Sequence, residues 1–235
     1  MDRPARIEPI DDIAMAVRPL LNRLVFTGIH VSRMLRKHPR GRIRRPALAS
    51  PTVAAIATVA LDRIAPDLLA AGLERLRRAT GRESWKALGG FQLELSHASG
   101  DGTTNDEIVR DYAVLLTRSL ALAPDLTVRV TVPAIQLALS WVDFCAGAAS
   151  FTESADVEDI LEIVACHADL GAEVAALPDE LRTTVAAAAG ALAAHESCAW
   201  ALRRALPDSR LAPGEVARVH DDLWTIAKLG PAKAA

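Results

Sequence analysis

The feature that most constrains the fold of this chain is a long apolar seam between residues 178 and 206. Eight residues recur there at alternating steps of four and three: Leu181, Val185, Ala188, Leu192, His195, Ala199, Leu202 and Leu206. This spacing is typical of one face of a helix that packs against other helices. The seam therefore predicts a helix over 178–206 and a fold in which helices pack on helices.

Other segments predict further helices of the same kind. Asp11 and Asp12 precede a stripe of apolar residues that ends before Pro39, which predicts a long cationic amphipathic helix. Further helices are predicted at 51–64, 66–80, 105–123, 133–149, 155–170 and 213–228. Two segments with alternating apolar residues, 91–96 and 127–132, predict a small two-stranded β element. We therefore expect a mainly α fold, a bundle-like domain of about seven or eight helices with this β element attached.

Charge is divided unevenly along the chain. Residues 1–50 carry 11 Lys/Arg against 4 Asp/Glu, whereas the remaining 185 residues carry 16 against 25. We expect three regions: a cationic helix and basic loop at 1–50, a helical core domain at 51–229 and a frayed tail at 230–235. The basic segment could dock on the acidic body, on a second copy, or on another partner.

The composition limits the classes of protein that fit. Hydrophobic residues make up 51% of the chain but aromatic residues only 4%, which favours closely packed helices with small side chains. Charged residues and prolines interrupt every apolar run that could span a membrane, and Arg18 and Arg23 interrupt the N-terminal apolar block, so we expect a cytoplasmic protein. The three cysteines lack CxxC spacing, so we expect no disulfide framework and no metal site, and nothing indicates a cofactor.

The basic loop resembles an AT-hook over residues 39–45. The letters Pro-Arg-Gly-Arg match that motif, and Ile43 stands in the place of its second proline. The resemblance implies that arginines of this loop lie along the minor groove of DNA. The candidate nucleic-acid-binding residues are Arg36, Lys37, Arg40, Arg42, Arg44 and Arg45. A solvated loop, or one that docks on the protein itself, is the alternative interpretation.

The segment 99–107, "SGDGTTNDE", predicts a turn and the start of a helix. Thr104 and Glu107 have the spacing of a capping box. The letters "GDGTT" also resemble the ATP loop of chaperonins, although Asn105 replaces that family's next threonine. The resemblance implies that Asp101 would serve a magnesium ion and that Thr103 and Thr104 would hold phosphate.

Asp143 and His195 are candidates for a catalytic pair. Each is an ionisable residue on a predicted core-facing stretch, and such groups need partners when they are buried. An aspartate that orients a histidine could support acid–base or nucleophilic chemistry, whereas a structural contact, or no contact at all, is the alternative.

The leading hypothesis from these patterns is a non-catalytic helical scaffold protein that acts through protein–protein contacts or self-association. One alternative is a nucleic-acid-binding protein that uses the basic loop at 33–45. A second alternative is an enzyme or nucleotide binder that uses the 99–107 loop or an Asp143/His195 pocket. We expect a protein partner or a homo-oligomer, with nucleic acid as the other candidate partner.

Overall fold

The computed structural model describes residues 9–35, 52–79, 82–147, 149–205 and 213–230. The chain divides into two compact units. Among the described residues, the first unit, here called the sheet unit, comprises 9–34 and 52–132, and the second, the helical unit, comprises residue 35 and those between 133 and 230.

The sheet unit contains seven strands and four α-helices. In chain order these are α1 (Pro9–Ala16), a 3₁₀ helix (Arg18–Arg23), β1 (Leu24–Thr27), α2 (Ile29–Met34), β2 (Thr52–Ala57), α3 (Leu61–Ala70), β3 (Glu74–Ala79), β4 (Arg82–Lys86), β5 (Gln92–His97), α4 (Asn105–Leu115), β6 (Thr117–Ala123) and β7 (Leu126–Thr131). All seven strands form one sheet in the order β3-β4-β5-β2-β1-β7-β6.

The pairing in this sheet is mixed. Strand β1 runs parallel to β7, and β2 runs parallel to β5, while the other neighbours are antiparallel. After β1 the chain continues to β2 on one side, and it later returns as β7 on the other side of β1. The sheet therefore has a topological switch point between β1 and β7, the kind of place where open α/β sheets bind ligands.

The prediction of a mainly α, bundle-like fold is wrong, since the chain has an α/β fold with a seven-stranded sheet. The long helix expected before Pro39 is instead α1, a 3₁₀ turn, β1 and α2, and the helix expected at 51–64 is largely strand β2. Strands are present at both predicted positions, as β5 and β7. They do not pair with each other, because β2 and β1 lie between them.

The central strands were mistaken for helices because both of their faces are covered. Strand β2 reads Thr-Val-Ala-Ala-Ile-Ala, and Val53, Ala55, Ile56 and Ala57 are buried. A strand that is buried on both faces shows a continuous apolar run instead of alternation, and alanine raises the helix propensity of such a run.

The outer hairpin of β3 and β4 holds a buried charge. Glu83 is 1% exposed, and a bulge in β3 places Arg75 opposite Trp85 and Arg78 opposite Glu83, on the same face of the sheet. The guanidinium groups of Arg75 and Arg78 approach the Glu83 carboxylate at 3.6 and 3.5 Å. Arg75 also lies 4.6 Å from the ring centre of Trp85. The bulge thus brings two cations to one buried carboxylate.

The helical unit contains the six remaining helices. They are α5 (Pro133–Ala146), α6 (Ala155–Cys166), α7 (Leu170–Ala175), α8 (Asp179–Ala194), α9 (Cys198–Ala205) and α10 (Pro213–Ala227). The seam on α8 is buried through Leu192, and α10 packs on α8 with Gly190 close to Ala227. The helix predicted at 178–206 is confirmed in part, since His195 ends α8 and a new helix begins at Cys198.

Within the described part of the chain, no single helix is both long and apolar enough to cross a membrane.

Candidate ligand site at the ends of β1 and β7

Four buried polar residues belong to the ends of β1 and β7 or to α2, the helix that follows β1, although most neighbouring residues are apolar. They are Thr27, His30, Ser32 and Thr131, here called the strand-end cluster, with exposures of 8%, 5%, 2% and 0%. Burying polar groups is costly unless they find partners, so four buried polar residues near one end of the sheet indicate a selected feature.

The backbone explains how these residues meet. Phe26 pairs with Val130 in the parallel ladder, so Thr27 and Thr131 follow in register at the carboxyl ends of the two strands. The hydroxyl of Thr131 donates a hydrogen bond to the Thr27 hydroxyl over 3.3 Å. Both side chains therefore lie at the switch point described above.

Gly28 turns the chain from β1 into α2. Its φ of +80° lies in the left-handed region, which a residue with a side chain adopts only with strain. The Ser32 N–H donates to the Gly28 carbonyl at 3.1 Å and begins the helical turn that places His30 and Ser32 beside the strand ends. The letters "FTGIH" carry this strand–glycine–helix signal, but the long helix predicted before Pro39 covered them.

The basic segment precedes β2 in the sequence. Because β2 is antiparallel to β1, Thr52 at the start of β2 lies at the end where β1 finishes. The segment that precedes Thr52 includes all six candidate nucleic-acid-binding residues. Arg36, Lys37, Arg40, Arg42, Arg44 and Arg45 lie outside the described residues, so their role stays a prediction.

The 99–107 loop has the predicted capping box, which is confirmed. The Thr104 hydroxyl accepts from the Glu107 N–H, and the Glu107 carboxylate accepts from the Thr104 N–H at 3.0 Å. The same carboxylate accepts from the Thr103 N–H at 3.0 Å. The N–H groups of Thr103 and Thr104 lower the pKa of Glu107, because they stabilise its charged form.

A second carboxylate occupies the other side of that loop. Asp111 accepts from the Gly100 N–H at 2.8 Å and from the Gly102 N–H at 3.0 Å. A Cβ at Gly102 would meet Glu107 at 2.7 Å, so this close packing requires glycine. Donors that would hold a phosphate are therefore engaged by the protein's own carboxylates, and Asp101 is exposed beside them. Phosphate binding by Asp101, Thr103 and Thr104 stays a prediction.

Asp143 and His195 both belong to the helical unit. Asp143 lies on α5 and is half-buried, and His195 follows the last residue of α8. The His195 ring stacks on Phe151 with centres 3.7 Å apart, and its Nδ1 accepts from the Ser197 N–H at 3.1 Å. Their use as a catalytic pair stays a prediction.

Among the described residues, no group of three His, Cys, Asp or Glu side chains is placed to hold a metal ion.

Comparison with solved structures gives a weak match. No family model matches this sequence, and no curated protein matches it. A solved structure titled "Crystal structure of an antigenic nucleotidyltransferase-like protein from Paracoccidioides brasiliensis" aligns with a TM-score of 0.46 and 17% identity. The alignment covers 83% of this chain and 92% of that one, and similarity at this level carries no argument about function.

The hypothesis of a non-catalytic helical scaffold protein is wrong. It depended on an all-helical bundle, whereas a seven-stranded mixed sheet occupies the first unit of the chain. The sheet creates a switch point with polar side chains beside it, which a helical bundle does not have. The second alternative, an enzyme or nucleotide binder, fits this architecture better.

Proposed function

We propose that the sheet unit binds a small phosphate-bearing ligand of the nucleotide class at the strand-end cluster. The observation that carries this proposal is the hydroxyl pair of Thr27 and Thr131, 3.3 Å apart at the carboxyl ends of two parallel neighbours. Ligands of open α/β sheets bind outside such strand ends at the switch point.

The chemistry of the cluster favours an anion with several oxygen atoms. Hydroxyl groups and an imidazole can donate hydrogen bonds to phosphate, and Gly28 lets the backbone approach a ligand closely. Thr27 and His30 keep the larger exposed fractions, 8% and 5%, so we assign them the ligand contacts. Ser32 and Thr131 are more deeply buried, and we assign them the role of orienting the other two side chains.

The charge of the neighbouring sequence supports the same class of ligand. Residues 33–45 include seven Lys/Arg and no acid, and this stretch connects α2 to β2. A segment with this surplus of positive charge attracts ligands that carry phosphate.

Calorimetry with a panel of nucleotides and inorganic phosphate tests the proposal. We expect one class of nucleotide to bind, and we expect Thr27→Val and His30→Gln each to weaken binding by about tenfold, the loss of one hydrogen bond to a charged group. Thr127→Val is the matched control, because Thr127 is exposed at the other end of β7. If all nucleotides fail to bind at millimolar concentration, or if the two variants bind like the natural chain, the proposal is wrong.

A cytoplasmic location belongs to the same proposal. None of the three cysteines forms a disulfide: Cys145 is exposed, and Cys166 and Cys198 are buried. Free thiols are usual in reducing compartments.

A further inference from the structure

A connected row of aromatic rings lies partly exposed on the helical unit. The ring centres of Trp141 and Phe144 are 5.6 Å apart, those of Phe144 and Phe151 are 6.4 Å apart, and Phe151 stacks on His195 at 3.7 Å. We call these four residues the aromatic row. Each of them is partly exposed, less so than Trp200 and Trp224, although large aromatic side chains are usually buried in cores or interfaces. A connected group left at the surface indicates recognition of a ligand.

The charge around the aromatic row is negative. Asp143, Glu153 and Glu196 each lie within two residues of a member of the row. The described residues of the helical unit carry 14 Asp/Glu against 5 Lys/Arg, whereas those of the sheet unit carry 12 of each. Aromatic faces attract cations, and nearby carboxylates strengthen that attraction.

The protein already combines a guanidinium with a ring and a carboxylate at two other places. Arg204 lies 5.5 Å from the ring centre of Trp200, and its Nε is 2.8 Å from the Glu158 carboxylate. In the sheet unit, Arg75 lies over Trp85 and beside Glu83. The aromatic row offers rings and carboxylates of the same kind.

Arg204 also connects Trp200 and Glu158 to the aromatic row. It donates a hydrogen bond of 2.7 Å to the carbonyl of Thr152, the residue after Phe151. The surface with rings therefore extends from Trp141 to Trp200 through Phe151 and Arg204. An extended peptide with several cationic side chains could contact it at more than one point.

We propose that the aromatic row binds the guanidinium groups of an arginine-rich peptide segment of a partner protein. Phe144 and Phe151 supply the ring faces, and Asp143, Glu153 and Glu196 supply the opposite charge. Arginine suits this surface better than lysine, because its planar group stacks on rings and is less strongly hydrated. This site is separate from the strand-end cluster, so either proposal can fail without the other.

Fluorescence anisotropy with a labelled decapeptide of alternating arginine and glycine tests this inference. The comparison peptide carries citrulline, the uncharged isostere of arginine, at every arginine position. Measurements use the full natural chain and a variant with serine at the six basic positions of 36–45, so that the protein's own basic segment cannot compete. We expect the arginine peptide to bind at least about tenfold more tightly than the citrulline peptide, in one or both proteins.

Point substitutions then locate the binding surface. We expect Phe151→Leu and Phe144→Leu each to weaken binding of the arginine peptide three- to tenfold, because leucine keeps apolar area and removes the ring face. Trp224→Leu is the control, since Trp224 is 40% exposed on α10 and its ring contact is with His220. Equal binding of the two peptides, or unchanged affinity in both phenylalanine variants, would overturn the inference.

Discussion

The sheet unit buries its one tryptophan, whereas the helical unit leaves two of its three tryptophans at the surface. Phe26 and Trp85 are 0% exposed in the sheet unit. In the helical unit, Trp200 and Trp224 are 49% and 40% exposed, and the aromatic row is partly exposed. The difference follows from the spacing of the elements, because a layer of helices about 10 Å from a sheet needs large side chains to fill the gap.

The helices of the second unit approach each other too closely for rings. The buried face of α8 contains Ala186, Ala188, Ala189 and Ala193, and Gly190 lies beside Ala227 of α10. Small side chains at such a contact bring two helix axes together and leave no space for a tryptophan. The tryptophan of the sheet unit therefore fills the core, whereas Trp200 and Trp224 of the helical unit lie outside it.

The largest difference in stability between the two units should come from removing a tryptophan in each of them. We expect Trp85→Ala to lower the free energy of unfolding by about 3–5 kcal/mol, because it empties a fully buried site. Trp200→Ala should cost less than about 1 kcal/mol, because the ring is already half in water. Urea unfolding followed by circular dichroism measures both. Equal losses of unfolding free energy in Trp200→Ala and Trp85→Ala would contradict the difference between the two units.

The next largest difference in stability should come from neutralising one carboxylate in each unit. Glu83→Gln should destabilise the protein by about 2–4 kcal/mol, because it removes the buried charge that holds Arg75 and Arg78. Asp179 pairs with Arg182 at 2.7 Å but is 88% exposed. We expect Asp179→Asn to cost less than about 1 kcal/mol. The same urea experiment applies, and a neutral Glu83→Gln would contradict the role given to the bulge in β3.

Helix caps should behave alike in the two units. Thr104 caps α4 in the sheet unit, and Ser154 caps α6 in the helical unit by accepting from the Val157 N–H at 3.4 Å. We expect Thr104→Ala and Ser154→Ala each to cost about 1 kcal/mol. Thermal unfolding of both variants checks this, with Thr127→Val as a surface control. Losses of several kcal/mol in one unit alone would show that the cap there also supports tertiary packing.

The last prediction is confined to alkaline pH and concerns the cysteines, all of which belong to the helical unit. Burial raises the pKa of the Cys198 thiol from 9.0 to about 11. Above pH 9 the unfolded chain loses this proton before the folded protein does, so the contribution of Cys198 to stability falls as the pH rises from 9 to 11. Cys198→Ala should flatten the stability profile in that window, and a profile identical to that of the natural chain would contradict the assignment.

The elements that the sequence predicts well are those whose burial has a helical period. Helices α5, α6 and α10 lie where periodicity placed them, and β5 and β7 follow the alternating segments. Strand β2 was not predicted as a strand because it is apolar on both faces. Strand β3 was not predicted because Arg75, Arg77 and Arg78 make its sequence polar at the edge of the sheet. Edge strands commonly carry charged residues, so they lack the alternation of apolar and polar residues that predicts a strand.

The strand-end cluster depends on contacts distant in sequence. Thr27 and Thr131 are 104 residues apart, and only the parallel pairing of β1 with β7 joins them. Each is one threonine among apolar residues, so nothing local marks either as part of a site. The capping box of Thr104 and Glu107 could be predicted, because both residues belong to one helical turn.

Titration of the isotopically labelled protein with the best-binding nucleotide, followed by amide NMR spectra, tests the central claim most directly. We expect the largest shifts to cluster at residues 27–32 and at Thr131, and we expect Thr27→Val to need about tenfold more nucleotide to reach the same shifts. Shifts confined to residues 99–104, or to the aromatic row of the helical unit, would contradict a ligand site at the ends of β1 and β7.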